Sequence, residues 1–361
     1  MNRQTRLDGI DLCRGLAAFA VILVHSGDES WGIPISDRAI QFRQMFYFAV
    51  PFFLAASFYF GTRKLPIVLN GRFWQKKFQR IVLPYLLWSF FYVVSKVVLF
   101  WASSDAEQIQ QLLSDPVAII FSGAASYHLY FIPLLLAGNI LLYFANYLYI
   151  KRGSIAFLAT FSVLSIAVYQ LLIITNNDFN LGTYTAFSDL LQSISNNFFY
   201  QPLRIVLLNL SWVVRCLPYF AISLLLKKLL ESYRLKELYT KETATMIFLV
   251  FILLNLVGKQ YLPTAVAELC IAYSLLLFGI AISSQLTANN LITSLGIYSF
   301  GIYLIHPFVK SAVEIALIKV FPQLTQSVSI VSILVYSIIS FLISWVSISV
   351  LHKNKVISQY T

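Results

Sequence analysis

The sequence of 361 residues is 59% apolar and 11% charged, whereas an average soluble protein is about 45–50% apolar and about 25% charged. So few charges cannot cover so much apolar surface in water, which excludes a soluble enzyme and a disordered chain. The net charge of +11 resides in short loops rather than in a basic domain, so we expect no nucleic acid among the partners.

Ten segments are predicted to cross a membrane, because each approaches the roughly 20 mostly apolar residues that a spanning helix needs. They are residues 10–27, 42–61, 81–101, 127–149, 155–175, 205–226, 244–259, 264–284, 292–315 and 328–350. The first and seventh are short, so nine or eleven spans are alternatives to ten. We therefore predict an all-α polytopic membrane protein, with residues 1–361 forming one membrane domain and no appended soluble domain.

The loop charges predict the orientation of this bundle. Most lysines and arginines lie before the first span and after the even-numbered spans, whereas most loop carboxylates lie after the first, third and fifth. Basic loops stay on the cytoplasmic side of a membrane. We therefore expect both termini in the cytoplasm. The three cysteines lie in apolar segments without metal-binding spacing and are expected to be packed thiols: Cys13, Cys216 and Cys270.

Ionisable residues inside the predicted spans are candidates for function. A charge at mid-membrane costs at least about 2.5–3.5 kcal/mol on insertion scales, so an ionisable residue inside a span usually has a functional role. The candidates are Arg14, His25, Lys96, His128, Arg215, Glu268 and His306.

Arg14 and His25 are eleven residues apart, which is close to three helical turns. We expect both on one stripe of the first helix, about 16 Å apart along its axis. Arg14 would then lie near the cytoplasmic side and His25 near the outer side. The alternative is that Arg14 extends to the inner headgroups and His25 marks the outer interface.

Four polar groups are expected at a similar depth in the outer half of the membrane: His25, His128, Glu268 and His306. Three imidazoles and a carboxylate can form a polar cavity for acid–base chemistry. The alternative is a separate interfacial partner for each of them. We predict no metal site, because the four lie on different helices and no HxxxH or HExxH spacing occurs.

A basic segment opens the third span on its cytoplasmic side. Lys76, Lys77 and Arg80 follow the spacing i, i+1, i+4, so in an α-helix Arg80 can share a face with either lysine. Cations at a cytoplasmic mouth can hold phosphates. The alternatives are a contact with anionic lipid and a charge that only orients the helix.

Five segments in chain order resemble motifs of the acyltransferase 3 family of integral membrane O-acyltransferases. In the first, Arg14 precedes His25 by ten intervening residues, and in the third a basic residue precedes Arg80 by two. The segments are residues 6–25, 50–58, 77–85, 127–131 and 298–307. Here Ser57 is followed directly by Phe58, where the family usually has Ser-Gly-Phe, and residue 130 is Tyr where Trp is usual.

The resemblance implies transfer of an acyl group, usually acetyl from cytoplasmic acetyl-CoA, to a hydroxyl of a sugar beyond the membrane. It also implies that His25 is essential and that Arg14, Lys77 and Arg80 serve the donor. We expect His25 to act as general base or as a transient acyl carrier. Two further roles complete the expectation. His306 or Glu268 would orient His25 or stabilise the oxyanion, and His128 and Ser57 would contact the acceptor.

The expected acceptor is a surface or lipid-linked glycan, in the cytoplasmic membrane of a bacterium. A rival hypothesis is a proton-coupled transporter or flippase of a lipid-linked sugar, with the titratable groups of helices one, eight and nine as a proton relay. The sequence shows neither the paired broken helices nor the inverted repeats that are typical of transporters, which counts against that rival. A glycan polymerase would carry a large basic outer loop. Dependence on CoA separates the transferase from both.

Overall fold

The computed structural model describes residues 6–27, 34–66, 70–194, 198–233, 240–287, 289–321 and 327–354, with Ser358 and Tyr360. Most of the backbone of the described residues is helical, and β-structure among them is limited to two isolated bridges. The predicted all-α class is therefore confirmed.

The α-helices of the described residues are numbered in chain order. They are α1 (Asp8–Val24), α2 (Asp37–Gln44), α3 (Ala49–Arg63), α4 (Gly71–Lys77), α5 (Leu83–Ala102), α6 (Ala106–Leu113), α7 (Phe131–Gly138), α8 (Leu142–Asn146), α9 (Ile155–Ile174), α10 (Ser188–Ser193), α11 (Tyr200–Tyr233), α12 (Lys241–Leu253), α13 (Lys259–Tyr261), α14 (Thr264–Ile282), α15 (Asn290–Val320) and α16 (Ile330–Leu351). Short π-helical turns join several of them, at Phe78–Val82, Ala118–Ser122, Tyr147–Lys151 and Leu254–Gly258, with a 3₁₀ turn at Asn139–Leu141.

Nine helical segments of the described chain are long and apolar enough to cross a membrane. They are Asp37–Arg63, Gly71–Ala102, Phe131–Lys151, Ile155–Ile174, Tyr200–Tyr233, Lys241–Tyr261, Thr264–Ile282, Asn290–Leu317 and Ile330–Leu351. Each coincides with a predicted span. The first predicted span corresponds to α1, whose 17 residues rise about 25 Å, less than the roughly 30 Å of a bilayer core. The chain is thus a multi-pass membrane protein.

The chain divides into two compact units. The first comprises residues 1–56 and 234–359 with Thr361, and the second comprises residues 57–233 with Tyr360. The division falls inside α3. That the chain forms one membrane domain stays a prediction, as does the cytoplasmic location of both termini.

In the first unit α1 is the central helix, packed along α15 and also against α14 and α16. Two backbones meet at Gly9, where an added Cβ would lie 2.1 Å from the carbonyl oxygen of Gly279. Only glycine allows helices to approach so closely in a membrane. Farther along, α1 packs into an apolar cluster of Ala18, Ile22, Ile302 and Ile348. The helix that carries Arg14 and His25 is therefore held over its length.

In the second unit α11 packs against α9 and α7. Its buried aromatic residues form the interior of this unit, with the ring centroid of Trp212 lying 5.4 Å from that of Phe179. Gly138 of α7 lets the thiol of Cys216 approach, since a Cβ there would lie 2.5 Å from the sulfur. This packing positions the segments that carry Lys77, Arg80 and His128.

The cysteine prediction is correct for Cys13 and Cys216, which are buried, and wrong for Cys270, which is exposed on α14. A thiol behaves as a small apolar group. On a membrane-spanning helix it can therefore face lipid and needs no protein neighbour.

Candidate active site

The first unit brings His25 and His306 together. His25 is the residue that follows α1, and it is half-buried. His306 lies in α15 and is fully buried. Their ring centroids are 6.2 Å apart and the ring planes are inclined by 29°, so the two imidazoles are neighbours with planes closer to parallel than to perpendicular. Two groups predicted to share a depth in the membrane therefore meet in space.

The hydrogen bonding of His306 identifies its tautomer. Nδ1 lies 2.7 Å from the carbonyl oxygen of Tyr303. A carbonyl oxygen only accepts, so Nδ1 carries the proton and donates, and Nε2 of the neutral ring has the lone pair. The carbonyl is available because Pro307, inside α15, lacks the N–H that would bond to the residue four positions earlier.

Two buried cations reach the end of α1. Lys310 Nζ donates to the carbonyl oxygen of His25, and Arg43 Nη1 donates to that of Gly27. Neither cation was among the predicted site residues, although both are buried, Lys310 within α15 and Arg43 within α2. One signal was available, since Lys310 lies four residues after His306 and therefore on the same face of a helix.

Glu268 is half-buried on α14. The structure places it where its charge acts on Lys259, whose ammonium lies 4.9 Å from the centre of the Tyr47 ring. The carboxylate thus has a cationic neighbour of its own. Its predicted role as an orienting group for His25 stays a prediction.

At the other end of α1, Asp11 is buried, with 5% of its surface exposed. It forms an ion pair with Arg6, and Arg14 Nη1 lies 3.8 Å from its Oδ1. Asp11 packs directly on Gly296 of α15, where a Cβ would lie 2.1 Å from Oδ1. Asp11 was not among the predicted site residues, although its i, i+3 spacing to Arg14 is the sequence signal for such a pair. Because α1 is unbroken between Arg14 and Val24, Arg14 and His25 keep the predicted separation of about 16 Å.

In the second unit Lys77 ends α4, and its Nζ donates to Oδ1 of Asn139, 3.0 Å away. Asn139 is buried, and within the described residues its Nδ2 has no hydrogen-bond partner. The π-helical turn at Phe78–Val82 interrupts the predicted α-helical register, so Arg80 is exposed while Lys77 is half-buried. π-turns occur often at functional sites and have no simple sequence signal.

His128 is buried in the second unit, with Nδ1 3.1 Å from Ser126 Oγ and the Tyr92 ring at 5.4 Å. The prediction that a helix begins at residue 127 is wrong, because α7 begins at Phe131. The chain turns first at Gly123, whose φ is +79° and where a Cβ would lie 2.4 Å from the backbone nitrogen of Tyr130. Ser57 is half-buried on α3.

Among the described residues, no three His, Cys, Asp or Glu side chains come together as a metal site would require. The polar groups described above are two imidazoles, buried lysine and arginine side chains, and carboxylates paired with cations.

The chain matches the family model of the acyltransferase 3 family, described as an acyltransferase domain, over residues 7–349. The matched region is nearly the whole chain and includes every predicted site residue from Arg14 to His306. No curated protein and no solved structure matches the chain.

Proposed function

The chain belongs to the acyltransferase 3 family, and we propose that this membrane acyltransferase moves an acetyl group from acetyl-CoA to a hydroxyl of a glycan. The observation that carries the proposal is the pair of neighbouring imidazoles of His25 and His306. An imidazole is the side chain best suited to take a proton near neutral pH. A second imidazole held in one tautomer beside it suits proton transfer rather than packing alone.

In the proposed reaction, His25 takes the proton of the acceptor hydroxyl as the oxygen attacks the thioester carbonyl. The C–S bond then breaks, and the proton passes from His25 to the departing CoA sulfur. His306, fixed by the Tyr303 carbonyl, orients His25. An acetyl group carried transiently on His25 is the alternative course.

We assign donor binding to cations in each unit. Arg14 lies in α1 and His25 directly follows α1, about 16 Å farther along the axis. With the phosphates of CoA bound near Arg14, the pantetheine arm extends towards the His25 imidazole. Lys77 and Arg80 of the second unit are assigned the same role. Cation–phosphate hydrogen bonds are among the stronger ones in proteins, and arginine suits them geometrically.

We assign acceptor binding to His128 and Ser57, and we keep Glu268 as a second orienting group for His25. Aromatic rings surround His128, with Tyr127 at 5.6 Å and Tyr92 at 5.4 Å between ring centroids. Aromatic side chains that also carry a hydroxyl can both pack on a sugar and hydrogen-bond to it. A surface or lipid-linked glycan made at the cytoplasmic membrane of a bacterium fits this chemistry.

Thermal unfolding of the detergent-purified protein with acetyl-CoA tests the proposal. We expect acetyl-CoA to stabilise the wild type by mass action. We expect Arg14→Ala to weaken its binding by about tenfold, as loss of a charge-assisted hydrogen bond does. Arg152→Ala is the matched control, since Arg152 is an exposed arginine predicted on the cytoplasmic side. No stabilisation by acetyl-CoA, succinyl-CoA or free CoA would contradict the transferase and favour the transporter.

The contact between Lys77 and Asn139 predicts a separate effect on the donor. Asn139→Leu removes the acceptor that holds the Lys77 ammonium, so we expect KM for acetyl-CoA to rise about tenfold with kcat unchanged. Steady-state kinetics over a range of acetyl-CoA concentrations measures this. Asn209→Leu is the control, because Asn209 Nδ2 bonds within α11, to the Ile205 carbonyl at 2.8 Å. An equal rise in both variants would remove Asn139 from the donor site.

A further inference from the structure

A lysine buried at membrane depth is held against the main chain of His25. Lys310 has 3% of its surface exposed, and its Nζ donates to the His25 carbonyl oxygen at 2.6 Å. It lies one helical turn beyond His306 on α15. A single helix therefore supplies both the ring that faces the His25 imidazole and the cation that binds its backbone.

A second cation completes this arrangement from another helix. Arg43 of α2, with 9% of its surface exposed, donates to the Gly27 carbonyl at 3.0 Å. The carbonyls of His25 and Gly27 lie just beyond Val24, at the end of α1 that carries the negative pole of the helix dipole, so cations there are stabilising. Gly27 itself has a φ of +67°, and a Cβ there would lie 2.4 Å from Val328. The backbone just after α1 is therefore held at both His25 and Gly27 by buried cations.

We propose that Lys310 is a positioning residue, which holds the His25 backbone so that the imidazole faces His306. This inference rests on the acyl transfer proposed above. The Lys310 ammonium bonds to the carbonyl oxygen of His25, the residue whose imidazole is the proposed base. This bond limits rotation of the peptide group after His25 and so fixes the position of the Cα atom that carries the imidazole. A misplacement of about 1 Å in a catalytic group can lower a rate about 10²-fold. Burying the Lys310 ammonium in a membrane is costly. Correct placement of the His25 imidazole explains why a lysine is present at this position.

Variants at residue 310 separate positioning from donor binding. We expect Lys310→Met to lower kcat about 10²-fold and to change KM for acetyl-CoA by less than about threefold. Lys310→Arg, which keeps a cationic donor, should recover at least about a tenth of the wild-type kcat. Lys319→Met is the matched control, since Lys319 is exposed on the same helix. Wild-type kcat in Lys310→Met, or an equal loss in Lys319→Met, would overturn the proposal.

Amide hydrogen exchange tests the same contact without any activity. In Lys310→Met we expect faster exchange in a peptide covering residues 20–27, and unchanged exchange in the α12 peptide 241–253, because only the end of α1 is released. Lys310→Gln, which keeps a neutral donor, serves if the Met variant does not fold, and should show a smaller increase. Faster exchange throughout the first unit, or none at 20–27, would overturn the positioning role. Failure of wild-type acyl transfer would refute the proposed function while leaving this measurement valid.

Discussion

Replacement of His25 with Ala is expected to lower kcat by about 10²–10⁴-fold, the usual contribution of a general base, while the protein stays folded. His25 is half-buried, and Lys310 binds its main-chain carbonyl. The substitution therefore removes the base and keeps the backbone anchor. Release of the CoA thiol from acetyl-CoA, measured with a cell-envelope glycan as acceptor, gives kcat, and thermal unfolding in detergent monitors the fold.

The chain offers a matched control for this variant. His352 also follows the last residue of a helix, α16, and its ring lies 4.8 Å from that of Tyr298. We expect His352→Ala to keep wild-type kcat, because no part of the proposed chemistry uses it. Full activity in His25→Ala would remove the imidazole from the reaction. An acetyl adduct on His25, found by mass spectrometry after rapid quenching, would make it the acyl carrier instead of the base.

The helices of this protein follow closely from its sequence, because a lipid-facing helix must be apolar over about 20 residues whatever its neighbours are. Each predicted span coincides with a helical segment of the structure, including α1 with its three charged residues. The ends were harder to place. α15 and α11 extend beyond the predicted 292–315 and 205–226, since helices continue past the apolar core into regions that carry no hydropathy signal.

The sequence placed His25 and His306 at a similar depth together with His128 and Glu268, and the structure brings the first two together. Lys310 and Arg43 lie inside the predicted spans but near their ends, where a long cationic side chain usually extends to the interface. Their burial depends on which carbonyl just after α1 each meets, and that is set by tertiary packing. The Tyr303 contact is different, because a histidine directly before a helical proline stands beside a carbonyl that has lost its donor. That local signal was available and was missed.

Replacement of Asp11 with Ala is expected to destabilise the first unit by about 1.5–3 kcal/mol, the usual contribution of hydrogen bonds between charged groups. Asp11 is buried against Gly296 and pairs with Arg6, whose Nη2 also donates to the Thr293 carbonyl at 3.0 Å. Its loss opens a space between α1 and α15 and leaves the guanidinium of Arg6 without its carboxylate. Unfolding of the protein in mixed micelles with increasing SDS measures the free energy.

The control for Asp11 is Asp8→Ala, in the same first turn of α1 but half-buried, where we expect less than about 1 kcal/mol. Arg14→Ala should also cost little stability, because at 3.8 Å from Asp11 and with a third of its side chain exposed it pairs weakly. The two basic residues near Asp11 therefore have different roles. Arg6 connects α1 to α15, and Arg14 is assigned to binding acetyl-CoA. If Arg14→Ala destabilised the protein as much as Asp11→Ala, the arginine would be structural, and its effect on acetyl-CoA binding would be indirect.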